Sequence, residues 1–403
     1  MLDLKSIEKA YKRIEEVVCR TPFSYAPNLS KMSGFEVYLK KENLQHTGAF
    51  KLRGAFNKLS CLMEEGYKGG VVAASAGNHA QGVAFSAQYF GINATIVMPE
   101  STPLTKVQGV KEFGAAVILH GTNYDEAYAY AVKFAEENDC TFVHPFADDE
   151  VMAGQGTIAL EMLEEAEDLD AIVVPVGGGG LISGIACAAK TLQEKVKLIG
   201  ISAEGAPAMK NSYDAKRPLD SLSVRTIADG IAVRDASPVT LKYILRYVDA
   251  FESVSEDEIA SAILFLLERQ KVLVEGAGAV GVAALMHGKI DLPKGSKVGI
   301  VLSGGNIDVT MLSLIIEKGL TKSARKMKLV VTLVDKPGAL QVFTKLLSDI
   351  NANIVQIGYD RTSTNLDFGD AHVSVALETK GVEHQELIRQ ALKKNGFVFK
   401  EEQ

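Results

Sequence analysis

The 403-residue sequence has no apolar run approaching the length of a membrane span, which excludes a transmembrane helix as its organising feature. Its opening stretch, MLDLKSIEKAYKRIEEVV, intersperses charge throughout and so lacks the apolar core of a secretory signal. Cysteine is scarce: Cys19, Cys61, Cys140 and Cys187 lie far apart, with no Cys-x-x-Cys spacing and no Cys/His pairing. That argues against a disulfide frame or a zinc site and for reduced thiols in a cytoplasmic protein. A basic run is also missing, and the net charge of -7 leaves no electrostatic footprint for DNA or RNA. Neither a nucleic acid nor a membrane is expected as a partner.

What is present is an ordinary globular composition, 47% apolar, enough to bury cores in two or three domains. Ile7, Ala10, Tyr11, Ile14, Val17 and Val18 recur at helical spacing, so an amphipathic helix comes first and Thr21-Pro22 ends it. After a short strand at 36–40, apolar β-branched runs alternate with glycine-containing turns and helices. Strands are predicted at 70–74, 94–98, 115–119, 171–176, 197–203 and 297–302. This alternation gives an α/β class, with a largely parallel sheet covered by helices on both faces. Residues 1–320 form the first region, with a smaller lobe at about 48–150 packed against or inserted into a larger one. A linker is expected at 321–326, and residues 327–403 then read as the βαββαβ order of a ferredoxin-like domain.

Lys51, within Thr47-Gly48-Ala49-Phe50-Lys51-Leu52-Arg53-Gly54-Ala55, falls where a loop turns into a helix. Small and aromatic neighbours would desolvate its ammonium and lower its pKa, as a nucleophilic lysine needs. An exposed lysine at a helix start is the plain alternative. Three predicted strands end in small-residue loops that open into helices: Ser75-Ala76-Gly77-Asn78-His79, Gly177-Gly178-Gly179-Gly180-Leu181 and Ser303-Gly304-Gly305-Asn306. At the carboxyl edge of a parallel sheet such loops share one crevice. Four successive glycines let main-chain N–H groups converge on an anion at a helix start, which makes a phosphate cup. The Ser75 loop carries groups suited to a carboxylate, and Ser303 offers a hydroxyl to a neutral ring nitrogen. Each loop taken alone could be a tight turn needing glycine only for its backbone angles. Together with a desolvated lysine, the three supply what a pyridoxal phosphate enzyme acting on an amino acid requires.

Through FKLRGA, SAGNHAQG, GGGGL, ADGIAV, VEGAGA and SGGN, in that order, residues 1–320 resemble the threonine dehydratases (threonine ammonia-lyases). These belong to the two-lobed, tryptophan synthase β-like fold type II of pyridoxal phosphate enzymes. From Met327 onward, the VDKPGAL turn and the element order resemble an ACT regulatory domain. The resemblance implies that Lys51 carries the cofactor as a Schiff base and takes the substrate α-proton, and that Phe50 packs on the pyridine face. It further implies that Asn78 bonds the ring hydroxyl oxygen, Gly177 to Leu181 hold the phosphate, and Ser303 faces the pyridine nitrogen. Ser75, Ala76, Gly77, Asn78 and His79 would take the substrate carboxylate. Glu275 would lie close to the cofactor or else be a structural carboxylate.

The implied reaction removes water from L-threonine, and from L-serine, to give 2-oxobutyrate or pyruvate with ammonia. Serine racemases of this family carry a serine where this chain has Ala76, a residue with no titratable group, so elimination is favoured over reprotonation. Serine racemase, hydroxyaspartate dehydratase, threonine synthase and a non-catalytic amino-acid sensor are the competing readings. Arg53 is the one basic residue near the carboxylate loop that a phosphorylated substrate could use. Relatives often bind a metal through a glutamate, a carbonyl and a second acid; Glu204 and Ala208 fit, but Lys210 stands in the acid's place and no metal is expected. An amino-acid effector is expected at Asp335, Pro337, Gly338, Ala339 and Leu340. The resemblance also implies a homo-oligomer, either dimer or tetramer.

Overall fold

Alternation of strand and helix holds through the first unit, Met1–Asp308, of the computed structural model, which describes every residue except 363, 365 and 403. In chain order its strands are Phe23–Tyr25 (β1), Glu36–Lys41 (β2), Val71–Ala74 (β3), Ala94–Met98 (β4) and Ala116–Leu119 (β5). Thr141–Phe142 (β6), Ala171–Pro175 (β7), Lys197–Ala203 (β8), Ala250–Val254 (β9) and Lys297–Leu302 (β10) follow. Six of them form one sheet in the order β1-β2-β10-β7-β8-β9, parallel except where β1 meets β2. The other four form a parallel sheet in the order β5-β4-β3-β6, so the smaller lobe is an insertion between β2 and β7. The parallel α/β class is as the sequence pattern requires. Both faces of β7 are covered and all five of its residues are buried, which is why it reads as an unbroken apolar run. The strands absent from the sequence reading, β1, β6 and β9, all lie at sheet edges, where periodicity is weakest.

Two functional loops are positioned by helices that pack unusually close. The helix Lys51–Glu64 crosses Asp149–Glu165, which in turn crosses Gly180–Leu192. A Cβ on Gly154 would lie 2.5 Å from the Arg53 carbonyl, and one on Gly184 would lie 2.2 Å from the Met152 carbonyl. Glycine is needed at these crossings for the backbones to touch. Beside the first crossing, Lys40, Glu42, Arg53 and Glu161 form a buried ionic cluster.

The second unit, Val309–Gln403, begins earlier than the expected domain start at 327. A helix at Val309–Lys322 runs into the expected linker, and the next strand starts at Lys326. Thr379 Oγ1 donates to Ala324 O at 2.7 Å, and Lys326 pairs with Glu317, so 321–326 is tied into this unit. Strands Lys326–Val334 (β11), Asn353–Asp360 (β12), Asp370–Glu378 (β13) and Val398–Glu402 (β14) form an antiparallel sheet ordered β12-β13-β11-β14. Leu329, Val331, Val373 and Val375 alternate onto one face and meet Phe343, Leu347, Ile388 and Leu392 of the two helices that follow β11 and β13. The result is a ferredoxin-like βαββαβ unit. Among the described residues, no helix is long and apolar enough to cross a membrane.

Candidate active site

Lys51 is the first residue of its helix, and Phe50 is the N-cap. The preceding loop is stitched to the end of β10, where the Phe50 N–H donates to Ser303 O at 3.0 Å and the Gly305 N–H to Gly48 O at 2.9 Å. The Lys51 ammonium donates to the Pro145 carbonyl at 2.6 Å and lies 5.3 Å from the Phe50 ring centroid. Its hydrogen-bond partner is thus a carbonyl rather than a carboxylate. Burial pushes its pKa down to about 8, against the opposing pull of Glu275. About a tenth of the amine is therefore neutral at pH 7, far more than for an ordinary lysine.

All the residues expected to hold cofactor and substrate line one cleft of about 820 Å³: Phe50, Lys51, Ser75, Ala76, Gly77, Asn78, His79, Gly177 to Leu181 and Ser303. The glycine loop connects β7 to the helix Gly180–Leu192. A Cβ on Gly178 would lie 2.4 Å from the Phe146 ring, and one on Gly177 would lie 2.7 Å from the Ile231 backbone. Packing behind the loop therefore demands glycine. Among the described residues, the main-chain N–H groups of Gly177 to Leu181 meet no protein acceptor, as expected for the start of a helix. A row of unspent donors on a cleft wall fits a phosphate.

The Ser75 loop connects β3 to the helix Asn78–Phe90. Here Ser75 Oγ accepts from the Gly77 N–H at 3.2 Å. The His79 ring is committed to packing: it is 3% exposed, its Nε2 lies 2.9 Å from Val143 O, and burial with nearby Lys51 pushes its pKa down to about 3. A neutral, core-facing imidazole leaves this residue only its main chain to offer a carboxylate. The Ser303 loop departs from expectation, since residues 303–308 are irregular and the next helix starts at Val309, in the second unit. Tertiary contacts hold the loop instead, through a bridge between Ala49 and Gly304 and a bond from the Glu275 N–H to Gly304 O at 3.0 Å.

Glu275, 3% exposed, lines the same cleft and accepts from Asn78 Nδ2 at 2.8 Å. Burial, reinforced by Asp229, pushes its pKa up to about 7, while the Asn78 bond opposes the shift. Two residues at the cleft were given no role by the sequence reading. Asn306, the last residue of SGGN, donates to Asn78 Oδ1 at 2.8 Å; a polar residue closing a glycine pair was the available signal. His144 accepts from the Phe146 and Ala147 N–H groups at 3.1 and 2.8 Å and so shapes the turn that sets the Pro145 carbonyl against Lys51. Burial and Lys51 push its pKa down to about 4, which keeps the ring able to accept. It follows a two-residue strand with no readable pattern. At the mouth of the cleft, Lys106 pairs with Asp229 at 3.1 Å and Arg234 pairs with Asp125.

A family model described as pyridoxal-phosphate dependent enzyme matches residues 14–304, the segment that contains every part of this cleft wall up to Gly304. The chain belongs to that family. Its cofactor is pyridoxal phosphate. Among relatives of this pyridoxal phosphate enzyme, an L-threonine ammonia-lyase from Thermotoga maritima is 48% identical over 397 residues, covering 98% of both chains. A catabolic L-threonine dehydratase from Staphylococcus aureus is 45% identical over 323 residues, 79% of this chain and 93% of the relative. A solved maize serine racemase superposes with TM-score 0.74 at 35% identity, covering 80% of this chain and 98% of its own.

Other expected residues lie elsewhere. Arg53 is fully buried in the ionic cluster and lines no part of the cleft, so it is not available to a phosphorylated substrate. Glu204 lies 3.5 Å from Lys289, whose ammonium also meets Glu258 and Ser253 O, each at 2.8 Å. Lys210 pairs with Asp214 at 2.6 Å. In the second unit, Gly338, at φ +87°, is the N-cap of the helix Ala339–Asp349, and Pro337 is exposed. Asp335 accepts from Tyr359 Oη and Arg361 Nε, each at 2.9 Å, and these bonds hold its carboxyl below the usual range. Leu340 is 36% exposed, on the same turn.

Proposed function

We propose that this chain is a threonine ammonia-lyase that converts L-threonine to 2-oxobutyrate and ammonia, and L-serine to pyruvate and ammonia. The observation that carries the reading is a partly neutral Lys51 amine in the same cleft as a row of unspent glycine N–H donors. Bound pyridoxal phosphate supplies an electron sink for the charge left at the substrate Cα. The chain's own residues do the rest. The N–H groups of Gly177 to Leu181 would hold the phosphate at a helix start, Phe50 would pack on the ring, Ser303 would bond the ring nitrogen and Asn78 the ring oxygen. Main-chain donors of the Ser75 to His79 loop receive the substrate carboxylate. Lys51, near its midpoint at about pH 8, takes the α-proton as its amine and holds it as ammonium against the Pro145 carbonyl. The β-hydroxyl leaves as water by taking up one proton, which the α-proton held on Lys51 balances, and hydrolysis of the remaining enamine regains that water and releases ammonia.

Likeness to serine racemase makes racemisation the competing reading. Ala76 argues against it, because a methyl group on the cleft wall returns no proton to the substrate. The deciding experiment follows keto acid and D-serine from L-serine with the purified chain, and turnover of L-threonine. Keto acid should dominate, and Lys51→Ala should abolish both turnover and visible imine absorbance. D-serine formed faster than pyruvate would refute the assignment.

The second unit supports a reading as an ACT-like effector domain, with an amino acid bound at Asp335, Pro337, Gly338, Ala339 and Leu340. Titration calorimetry with isoleucine, valine, threonine and serine tests it, and no heat from any of them would leave a structural role. We infer a homo-oligomer, dimer or tetramer, and a cytoplasmic location, the latter supported by four free thiols.

A further inference from the structure

Asn306 closes the polar wall of the cleft, and nothing in the proposed reaction uses it. Its Nδ2 lies 2.9 Å from the Thr47 main-chain carbonyl, 2.8 Å from Asn78 Oδ1 and 3.5 Å from Gln81 Oε1. An amide nitrogen carries two protons and an amide oxygen none, so a side-chain amide can face either way only where its partners can both donate and accept. A main-chain carbonyl accepts and never donates. Thr47 therefore holds Asn306 with its nitrogen inward, since turning the amide over would set two oxygens against each other. The second Nδ2 proton of Asn306 goes to the Asn78 oxygen, which turns Asn78 Nδ2 toward Glu275 Oε1 at 2.8 Å.

One Asn78 N–H is then spent on Glu275, and the other remains for the cleft that Asn78 lines. Packing pins the first link. Gly48 has φ +72°, and a Cβ there would lie 2.5 Å from Asn306 Oδ1, so the amide rests against the loop that leads to Lys51. Direction thus passes from a backbone oxygen, through one side-chain amide, to the next.

We propose that Asn306 is a positioning residue that, anchored on the Thr47 carbonyl, makes Asn78 present a donor rather than an acceptor to the oxygen on the cofactor ring. This rests on the reading of the cleft given above, in which Asn78 meets that oxygen. A donor there stabilises the ring oxygen as an anion, and an acceptor stabilises it as a hydroxyl. The two states absorb at different wavelengths, so the polarity is legible in the spectrum without turnover.

The experiment records absorbance spectra of the cofactor-loaded full chain at one pH, with the dissociation constant for pyridoxal phosphate measured in parallel. Asn306→Asp cannot donate to Asn78 and draws the Asn78 nitrogen toward itself, leaving the Asn78 oxygen for the cleft. The ratio of the longer-wavelength anionic band to the shorter-wavelength neutral band should fall by about tenfold or more, with weaker cofactor binding. Asn78→Asp places an acceptor there directly and should move the ratio the same way, so a folding failure of one variant is covered by the other. Gln81→Glu sets the same charge beside Asn306 without reversing its amide, and should leave the ratio within about twofold. Equal shifts in Gln81→Glu and Asn306→Asp would overturn the proposal, as would an unchanged ratio in Asn306→Asp. A parent chain with no visible band would instead defeat the cofactor reading beneath it.

Discussion

Replacing Glu161 by glutamine tests how the Lys51 helix is anchored. Lys40, Glu42, Arg53 and Glu161 are each no more than 3% exposed. The Arg53 guanidinium donates to Glu42 at 2.8 and 2.9 Å, to Glu161 at 2.6 and 2.9 Å, and to Thr157 Oγ1 at 3.1 Å. Lys40 donates to Glu161 at 2.5 Å and to Thr21 O at 2.6 Å. Two positive and two negative charges cancel, so Glu161→Gln leaves one positive charge uncompensated in the core. Removing one partner of a buried pair costs roughly 3–5 kcal/mol. For a unit of 308 residues ~1 kcal/mol moves Tm by about 1.5 °C, so a fall of roughly 5–8 °C is expected. Far-ultraviolet circular dichroism melts at neutral pH measure it, with Lys133→Ala as the reference. That variant breaks an ion pair with Glu137 whose side chains are 70% and 61% exposed. It should cost no more than ~0.5 kcal/mol and shift Tm by under about 2 °C. A Glu161→Gln shift no larger than this reference would refute the reasoning. The cluster also sets an acid limit. Burial opposes ionisation of Glu42, yet Arg53 overrides it and holds the carboxyl below its ordinary 4.5. A carboxylate lowered on folding stabilises above its unfolded value and loses that contribution as pH falls through the folded one, so stability should drop below about pH 4.5.

Cofactor-free chain should show amine reactivity at Lys51 that rises with pH to a midpoint near 8, read by pH-dependent acetylation and mass spectrometry; a midpoint above about 10 would show that burial does not depress it. Gly178→Ala, with a Cβ 2.4 Å from the Phe146 ring, should weaken pyridoxal phosphate binding and cost about 1–3 kcal/mol in a urea melt. Arg234→Ala removes an exposed ion pair to Asp125 across the mouth of the cleft. It should raise KM by no more than about fivefold and flatten the dependence of KM on salt, whereas a loss of kcat at unchanged KM would show that Arg234 acts in the chemistry.

Much of this was legible because chemistry and backbone geometry coincide in the motifs. A loop of four glycines must be free of side chains, and its place after a buried apolar strand fixes the edge at which it emerges. Lys51 was legible as a lysine among small and aromatic neighbours. Other features have no local signature. His144 follows β6, a two-residue strand, and its task is set by a turn three residues long. Arg53 sits in the same motif as Lys51, but its burial depends on Glu161, 108 positions away. The Ser303 loop looked like a strand-to-helix turn because glycine and asparagine serve such turns, whereas its geometry comes from contacts with Gly48, Ala49 and Glu275. The commitment of the His79 ring to Val143 likewise arises across 64 positions.

Lys51 and Arg53 lie two residues apart on one helix, on faces that do not meet. Both are shielded from water, and the outcome is opposite. Arg53 is ringed by two carboxylates, so despite the cost of burial its charge is held more firmly than in solution. Lys51 meets a carbonyl and a ring, and the carboxyl that acts on it, Glu275, is itself pushed up to about 7 and so is only partly ionised near neutral pH. A carboxyl that is only partly ionised cannot hold the ammonium as a full ion pair does. A fully ionised acid beside Lys51 would restore its pKa and remove the base; a neutral residue at 161 would undermine the wall on which its helix rests. Reactivity at this site therefore depends on where the acids are placed: complete pairing one turn inside the core, incomplete pairing at the cleft.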